Sequence, residues 1–426
     1  MEKILLNRVH LKNSRSIEVY LAHEGYEGLK KALVMTPKEV IEEVKRANLR
    51  GRGGAGFPAA MKWGFAAADP NRPKYLLCNA DEGEPGTCKD RQIMEGDPHE
   101  LIEGMAIAGY AFGAEFGYIY LRAEYPRLVG VLETAIAEAG AKGFLGSKIL
   151  GSDFNFTIRV HRGAGAYICG EETALIESIE GKRGQSRVKP PFPVNVGLFG
   201  KPTVVNNVET LSNVSHILRK GGKWFASIGS EKCPGTRIVS LSGHVNRPGY
   251  YELPMGVTFR EVIYEHGGGI RGGKELKAFI PGGASASCLT PQHLDVKMDY
   301  DSVAAAGSML GSSALMVMDE TTCMVKVAER LMRFFVHESC GKCTPCREGT
   351  DWLLKLLQRI EAGEGKEKDI DLLREICDNI SGKTFCPLGE GALGPVRGTL
   401  KYFEEEYREH LRLKGCPVKR KSRIGN

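Results

Sequence analysis

The 426-residue chain is predicted to be an α/β protein in three parts: a sheet domain, a small β-rich module and a group of cysteine-bearing helices. Three observations predict this. Strand-like and helix-like segments alternate up to about Phe225. From Thr236 the texture changes to short strands separated by turns, and from Thr321 onward the chain reads as helices.

Thr36-Pro37-Lys38-Glu39 is a helix start, with threonine as cap, proline in the first turn and glutamate closing a capping box. Val40, Ile41, Val44 and Ala47 then share one helical face. After a glycine run, Lys74 to Asn79 reads as a buried strand that ends in an acidic loop; Thr157 to Val160 is a second strand, and Thr173 to Ile176 begins a helix. Lys189 to Pro202, with Pro190-Pro191-Phe192-Pro193, is expected to be a long ordered loop of the kind that carries function. Ile238 to Leu241 and Tyr250 to Leu253 are strands around a Pro248-Gly249 turn. Thr258 to Glu261 starts a short helix with a capping box, and Ala278 to Ile280 is a further strand. Two strands, a helix and another strand in this span suggest a ubiquitin-like β-grasp module. Helices are expected within Lys326–His337, Thr350–Arg359, Ile370–Ile380 and Val396–Leu411, a four-helix bundle with cysteines in its connections. No internal repeat is evident.

Those cysteines carry the strongest chemical signal. Cys340, Cys343 and Cys346 stand at two-residue gaps, and Cys386 follows in Phe385-Cys386-Pro387. A C-x2-C-x2-C…C-P layout suits a [4Fe–4S] cluster, which takes one soft anionic ligand per iron. Zinc on the same four is the alternative, although zinc sites more often pair two C-x2-C units, and a disulfide pairing is a third reading.

Composition narrows the class. A net charge of +6 over this length is mild and gives no reason to invoke nucleic acid. The basic run Lys419-Arg420-Lys421-Ser422-Arg423 reads as a solvated tail, or second as a partner contact. Met1 to Asn7 lacks the apolar core of a signal peptide, so the twelve cysteines point to a reducing compartment, most of them as small buried apolar groups. The apolar region from Leu101 to Leu121 contains Glu103 and Glu115 and reads as a buried helix pair or a helix entering a strand, not a membrane span.

Four further segments are ligand candidates. Gly51-Arg52-Gly53-Gly54-Ala55-Gly56-Phe57 matches G-x-G-x-x-G, but a helix precedes it where the dinucleotide fingerprint needs a strand, so a plain flexible turn stays open. Its glycines allow backbone N–H groups close to a phosphate or flat ring, with Lys62 or Arg52 as fixed positive charge. Asn79-Ala80-Asp81-Glu82-Gly83-Glu84 sits at a strand's carboxyl end, where its carboxylates suit hydroxyls, amides or a cation such as magnesium, or form only a surface turn. Gly163 to Thr173 offers small residues, the face of Tyr167, and Glu171 and Glu172 at a helix start, where acidic residues ordinarily just complement the dipole. Val205-Asn206-Asn207-Val208-Glu209-Thr210 places two amides and a hydroxyl at another helix start, favourable to an anion.

Taken together, these motifs and Glu-Ser-Cys-Gly-Lys-Cys-Thr-Pro-Cys-Arg occur in the order found in one family. From about Thr36 to Leu411 the chain closely resembles the NADH-oxidising flavoprotein subunit of bacterial respiratory complex I. The resemblance implies an FMN- and NADH-binding Rossmann-like domain over residues 1–230, a β-grasp domain over 231–318 and a helical [4Fe–4S] domain with basic tail over 319–426. It implies that Arg52, Gly53, Gly54, Lys62, Asn79, Asp81, Glu82, Tyr167, Gly170, Glu171 and Val205 lie about the FMN, with Asn206, Asn207 and Thr210 at its phosphate end. Phe57, Phe65 and Phe192 would sandwich the adenine of NADH, Glu84 and Glu172 would accept from its carboxamide or ribose hydroxyls, and Lys189 would lie close by. Cys340, Cys343, Cys346 and Cys386 would hold the cluster. No residue acts as a catalytic nucleophile, because hydride passes directly between cofactors. The implied partners are a thioredoxin-like [2Fe–2S] subunit and a larger multi-cluster iron–sulfur subunit, and the implied place is cytoplasmic, peripheral to the inner membrane through those partners. The diaphorase subunit of an NAD-linked hydrogenase or formate dehydrogenase is the nearest rival, and a zinc-bound non-catalytic scaffold is a rival of another class. Cys416 and the basic tail have no counterpart in the resemblance.

Overall fold

The structure, a computed structural model, describes residues 3–418, so the basic run from Lys419 lies outside the described residues. Packing divides the chain into two compact units.

The first unit holds the residues up to Gly83, Cys88–Val239 and Tyr250–Val257. It opens with α1 (Ile17–Ala22) and α2 (Glu27–Val34). The N-cap of α2, Tyr26, has no side-chain cap. The buried Glu103 carboxylate replaces it, accepting from the N–H groups of Tyr26 and Leu29 at 2.9 Å each. α3 (Pro37–Arg46) starts with the expected capping box: Thr36 Oγ1 accepts from Glu39 N at 3.3 Å and Glu39 from Thr36 N at 2.7 Å. Val40, Val44 and Ala47 are fully buried and Ile41 is half-buried. The glycine run leads into α4 (Ala59–Ala68), and only then comes β1 (Tyr75–Ala80). A helix thus stands on both sides of the glycines, unlike the dinucleotide fingerprint.

The unit continues through α5 (Lys89–Gly96), α6 (Pro98–Phe112), β2 (Phe116–Leu121), α7 (Pro126–Ala141) and β3 (Thr157–Arg162). The apolar run from Leu101 is therefore a buried helix entering a strand, turned by Gly113 at φ 77°. Then follow α8 (Glu172–Ile179), β4 (Thr203–Asn207), α9 (Val208–Lys220), α10 (Gly222–Ala226) and the small ribbon β5 (Gly229–Ser230) with β6 (Cys233–Pro234). The main sheet runs β3-β2-β1-β4 with every pairing parallel. Helices α6 and α9 pack on each other and on β1, which gives β1 the near-continuous burial expected of a central parallel strand.

β7 (Thr236–Gly243) and β8 (Gly249–Pro254) each contain a boundary between the units. In the second unit Thr258 and Glu261 form their box, with Glu261 accepting from Thr258 N at 2.6 Å and donating its own N–H at 3.2 Å, and the helix that follows is one π-type turn, Glu261–His266. β9 (Leu276–Ile280), α11 (Tyr300–Ala305) and β10 (Ala314–Asp319) come next. β10 pairs parallel with the Ser240–Gly243 end of β7 and antiparallel with β9.

Four helices complete the described chain: α12 (Met324–Glu338), α13 (Thr344–Glu361), α14 (Glu367–Ile380) and α15 (Pro387–Leu413). α12 packs on α13 and α15, and α14 packs on the same two. α13 and α15 start earlier than the apolar periodicity marks, because Pro345 and Pro387 fit a first turn where no N–H is needed. As a result Cys346 lies inside the first turn of α13, not in a connection.

Candidate nucleotide and cluster sites

In the first unit the strand order runs outward from β1 through β2 to β3, then returns to the other side of β1 for β4. Ligands in open parallel sheets bind at the carboxyl ends of strands where the order reverses. Here that place lies between the ends of β1 and β4, where Asn79 pairs in register with Asn207 and Cys78 with Asn206.

The four glycine-rich and acidic segments meet there. Arg52 N donates to Thr210 Oγ1 at 2.8 Å, tying the glycine loop to the start of α9. A Cβ on Gly53 would stand 3.1 Å from Asn207 Cβ, and Gly54 and Gly56 hold φ of 132° and 65°, values that favour glycine. Asn79 Nδ2 donates to the Gly170 carbonyl at 2.8 Å, and the Tyr167 ring lies against Gly83. Lys62 Nζ donates to the Val205 carbonyl at 3.3 Å and to Glu172 at 3.0 Å. Lys189 Nζ reaches Glu172 at 2.6 Å and Glu171 at 3.0 Å. Burial opposes charge on Glu172, but the two ammonium groups outweigh it and hold its carboxyl below the usual range. Phe57, Phe65 and Phe192 are 42%, 52% and 53% exposed, leaving aromatic faces open in this unit.

Several predicted residues have different work. Arg52 is fully buried, and its guanidinium donates to the carbonyls of Pro234 at 2.7 Å and Arg50 at 3.2 Å. It is therefore not the fixed charge facing a ligand, since its donors satisfy interior carbonyls. Glu171 caps α8, accepting from Thr173 N at 2.9 Å and Ala174 N at 3.0 Å, which is the dipole-complement reading of that residue. Glu82 is buried and caps α5, accepting from Asp90 N at 2.8 Å and Arg91 N at 3.1 Å, with Tyr125 Oη donating at 3.1 Å. Burial first, and then the charge of Asp90, push its carboxyl up to about 7. Glu84 belongs to the second unit, where its carboxylate accepts from Ser285 N at 2.7 Å and from the Ser285 hydroxyl. Asp81 directly follows β1, with its N–H on Asn79 Oδ1 at 3.1 Å.

A buried cluster escapes sequence reasoning. Lys89 Nζ, 1% exposed, stands 2.7 Å from Asp90, 2.9 Å from Glu209 and 3.1 Å from Asn207 Oδ1. Asn207 Nδ2 donates back to Asp90 at 2.7 Å, so these charges fix the amide at the end of β4. Trp63 Nε1 does the same for Asn206 Oδ1 at 2.8 Å. Lys89-Asp90 looks like an ordinary charged helix start, and nothing local marks it as interior.

In the second unit Cys343 and Cys386 are the N-caps of α13 and α15, Cys340 follows α12, and Cys346 is buried in the first turn of α13. Burial first, and then the charges of Cys343, Cys386 and Cys340, push the Cys346 thiol up to about 11. Thiolates close enough to influence one another repel, and a bound cationic cluster relieves that repulsion, so the donor set fits a [4Fe–4S] group. Lys342 Nζ stands 5.9 Å above the Phe385 ring, joining the two cysteine loops. None of the twelve cysteines forms a disulfide among the described residues.

Comparison with known proteins gives this geometry a family. Residues 44–216 match the Nuo51 FMN-binding domain, 238–288 the SLBB domain, and 326–410 the NADH-ubiquinone oxidoreductase-F iron-sulfur binding region. An F-type NADH-quinone oxidoreductase subunit of Rhizobium meliloti is 55% identical, covering 98% of this chain and 99% of its own. The F-type subunit of Streptomyces coelicolor is 56% identical over 95% of this chain and 90% of its own. The chain belongs to the family of F-type NADH-quinone oxidoreductase subunits. Among solved structures, a chain of an NAD+-reducing [NiFe]-hydrogenase superposes with a TM-score of 0.81 at 38% identity, covering 90% of this chain and 64% of that one. The family's mixed α/β fold has its parallel sheet in the FMN-binding part and its iron–sulfur region at the C-terminal end, and FMN and a [4Fe–4S] cluster are its cofactors. The glycine loop at the strand reversal, bordered by Lys62 and Asn79, is chemically suited to a flavin: backbone access for a flat ring or phosphate, and polar groups at its edge. No helix among the described residues is long and apolar enough to cross a membrane.

Proposed function

We propose that this chain is an NADH dehydrogenase subunit of a multi-subunit NADH:quinone oxidoreductase, oxidising NADH through FMN and passing electrons through its [4Fe–4S] cluster to partners. The observation that carries the reading is the convergence of four separate segments on the β1–β4 reversal, in a family whose matching region binds FMN. When bound, the flavin supplies two-electron acceptance from NADH and one-electron release, and the cluster supplies one-electron relay.

The chain's own residues bind and orient. Gly53 and Gly54 give the flavin close access to the backbone; Lys62, Asn79, Asp81, Tyr167, Gly170 and Val205 border it; Asn206, Asn207 and Thr210 lie at its phosphate end, where α9 begins. Phe57, Phe65 and Phe192 stack on the adenine, and Glu172, flanked by Lys62 and Lys189, accepts from ribose hydroxyls. Arg52, Glu82 and Glu171 support the site through interior bonds. Cys340, Cys343, Cys346 and Cys386 ligate the cluster. The division into a Rossmann-like domain to residue 230, a β-grasp domain over 231–318 and a helical bundle from 319 belongs to the same proposal. So do the thioredoxin-like [2Fe–2S] subunit, the larger multi-cluster subunit and a peripheral site at the inner membrane's cytoplasmic face. A second reading, the diaphorase subunit of an NAD-linked hydrogenase, is favoured by the 38% identical hydrogenase chain.

The purified holoprotein tests the proposal. It is expected to be yellow-brown, to bleach on anaerobic NADH addition, and to co-purify with quinone-reductase subunits. A colourless protein overturns it, and co-purifying nickel-containing subunits decide for the hydrogenase reading.

A further inference from the structure

The two ends of α13 are both chemically marked. Its first turn carries Cys346, with Cys343 at the cap, and its last residue is Glu361, 18 residues and roughly 27 Å along the axis. At that far end Glu361 meets Cys323, the N-cap of α12, and His410 and Cys416, in and after the last turns of α15. All four are buried, and one ligand atom from each lies within 4.8 Å of every other.

Three of the separations come close to those of a coordination shell. His410 Nε2 is 3.1 Å from Glu361 Oε2, Cys323 Sγ is 3.4 Å from His410 Nε2, and Cys323 Sγ is 3.7 Å from Glu361 Oε2. Tetrahedral zinc, with Zn–S near 2.3 Å and Zn–N or Zn–O near 2.0–2.2 Å, requires ligand-to-ligand edges of about 3.3–3.8 Å. The surrounding bonds prepare the ligands. His410 Nδ1 donates to the Glu406 carbonyl at 2.6 Å, which orients the ring so that Nε2 is the nitrogen facing the other three groups. Lys326 N donates to Cys323 Sγ at 3.4 Å, which orients the sulfur at the start of α12. The Glu406 side chain accepts from Met324 N at 2.9 Å and pairs with Lys277 at 2.5 Å, locking the start of α12 against α15.

We propose that Cys323, Glu361, His410 and Cys416 form a closed structural zinc site that pins α12, α13 and α15 at the end away from the iron–sulfur cysteines. Two soft sulfurs, an imidazole and a carboxylate in a buried, four-coordinate set suit a redox-inert divalent cation with no open position. Binding takes up one cation and releases the thiol protons to solvent. The site gives Cys416 a role, and it explains why two of the eight cysteines outside the cluster motif lie together.

Metal analysis of the intact holoprotein tests this. The expected result is one zinc per chain beside the cluster iron, with zinc-edge absorption showing two sulfurs near ~2.3 Å and two lighter atoms near ~2.0–2.2 Å. Cys416→Ser and, separately, His410→Gln should lose the zinc and lower the melting temperature while the cluster's paramagnetic resonance signal is unchanged. Should either variant fail to fold, chelation of wild-type protein followed by titration with zinc chloride replaces it, and stoichiometric uptake with recovered melting temperature supports the site. Absence of zinc, iron in its place, coordination by lighter atoms only, or full zinc retention in the variants overturns the proposal.

Discussion

The cysteine loops of the second unit and the acidic loop of the first both read as ligand candidates in the sequence, yet the structure treats them differently. Cys343 and Cys386 stand at the caps of α13 and α15, and the charges of Cys340, Cys343 and Cys386 all act on Cys346. In the acidic loop, by contrast, Glu82 turns inward to cap α5, and Glu84, which belongs to the second unit, takes its bonds from Ser285 of that unit. Along the same site Glu171 caps α8 while its neighbour Glu172 faces two lysines. The difference is one of chemistry. A thiolate has few good partners inside a protein, so closely spaced cysteines announce an external cation. A carboxylate has many interior partners, and helix starts compete for it wherever they are near.

The largest expected effect lies on the cysteine side. Cys343→Ser should abolish the [4Fe–4S] resonance signal and electron delivery to partner subunits, while FMN stays bound and NADH-driven ferricyanide reduction persists. The helices should also loosen, since a lost metal site removes folding free energy. An unaltered cubane signal in the reduced variant would mean that the ligand set is wrong, and that local spacing misleads for cysteine as it does for carboxylate.

What was readable in the sequence follows the same division. The capping box at Thr36 and Glu39, strand β1, the helix running into β2 and all four C-terminal helices were legible, because each depends on residues within a few positions. The meeting of the four ligand segments was legible only as a family resemblance, since register between Asn79 and Asn207 is made by sheet topology. The burial of Arg52 and the Lys89–Asp90–Glu209 cluster were hidden for that reason. So was the Cys323, Glu361, His410 and Cys416 set, whose bonded pairs are 38, 87 and 49 positions apart. No local pattern encodes contacts that only helix packing creates.

A mid-sized effect is expected from Glu172→Gln. A carboxylate beside the ribose diol of NADH accepts from a hydroxyl and repels the 2′-phosphate of NADPH, and two unit charges about 4 Å apart interact by roughly 4 kcal/mol at an effective dielectric of 20. The substitution also leaves Lys62 and Lys189 less neutralised, which favours the phosphate further. NADPH oxidation relative to NADH should improve by about one to two decades in kcat/KM, or ~1.4–2.8 kcal/mol, measured at matched salt with FMN content checked. Glu171→Gln should shift the ratio less and cost helix stability instead, because that carboxylate caps α8. An unchanged ratio in the Glu172 variant would remove the residue from nucleotide selection and place both glutamates in a supporting role.

The smallest expected effect tests whether Glu82 behaves as an interior cap. Its carboxyl is raised from 4.5 to about 7 by burial and by Asp90, so the native state holds a proton that the unfolded chain has released. Between those two values the native form binds more protons than the unfolded form, and stability therefore falls as pH rises, then levels above about 7. Below 4.5 both states are protonated and the contribution is constant. The whole excursion is at most roughly 3–4 kcal/mol, taking ~1.4 kcal/mol per pKa unit. Glu82→Gln removes the titration while keeping one oxygen to accept from Asp90 N or Arg91 N. Urea midpoints of the holoprotein at pH 5 and pH 7.5 should therefore differ less in the variant than in the wild type, once the remaining groups' shared dependence is subtracted. A variant whose pH dependence matches the wild type would show that the Glu82 carboxylate is as well solvated when folded as when unfolded, and that the acidic loop keeps this charge facing outward after all.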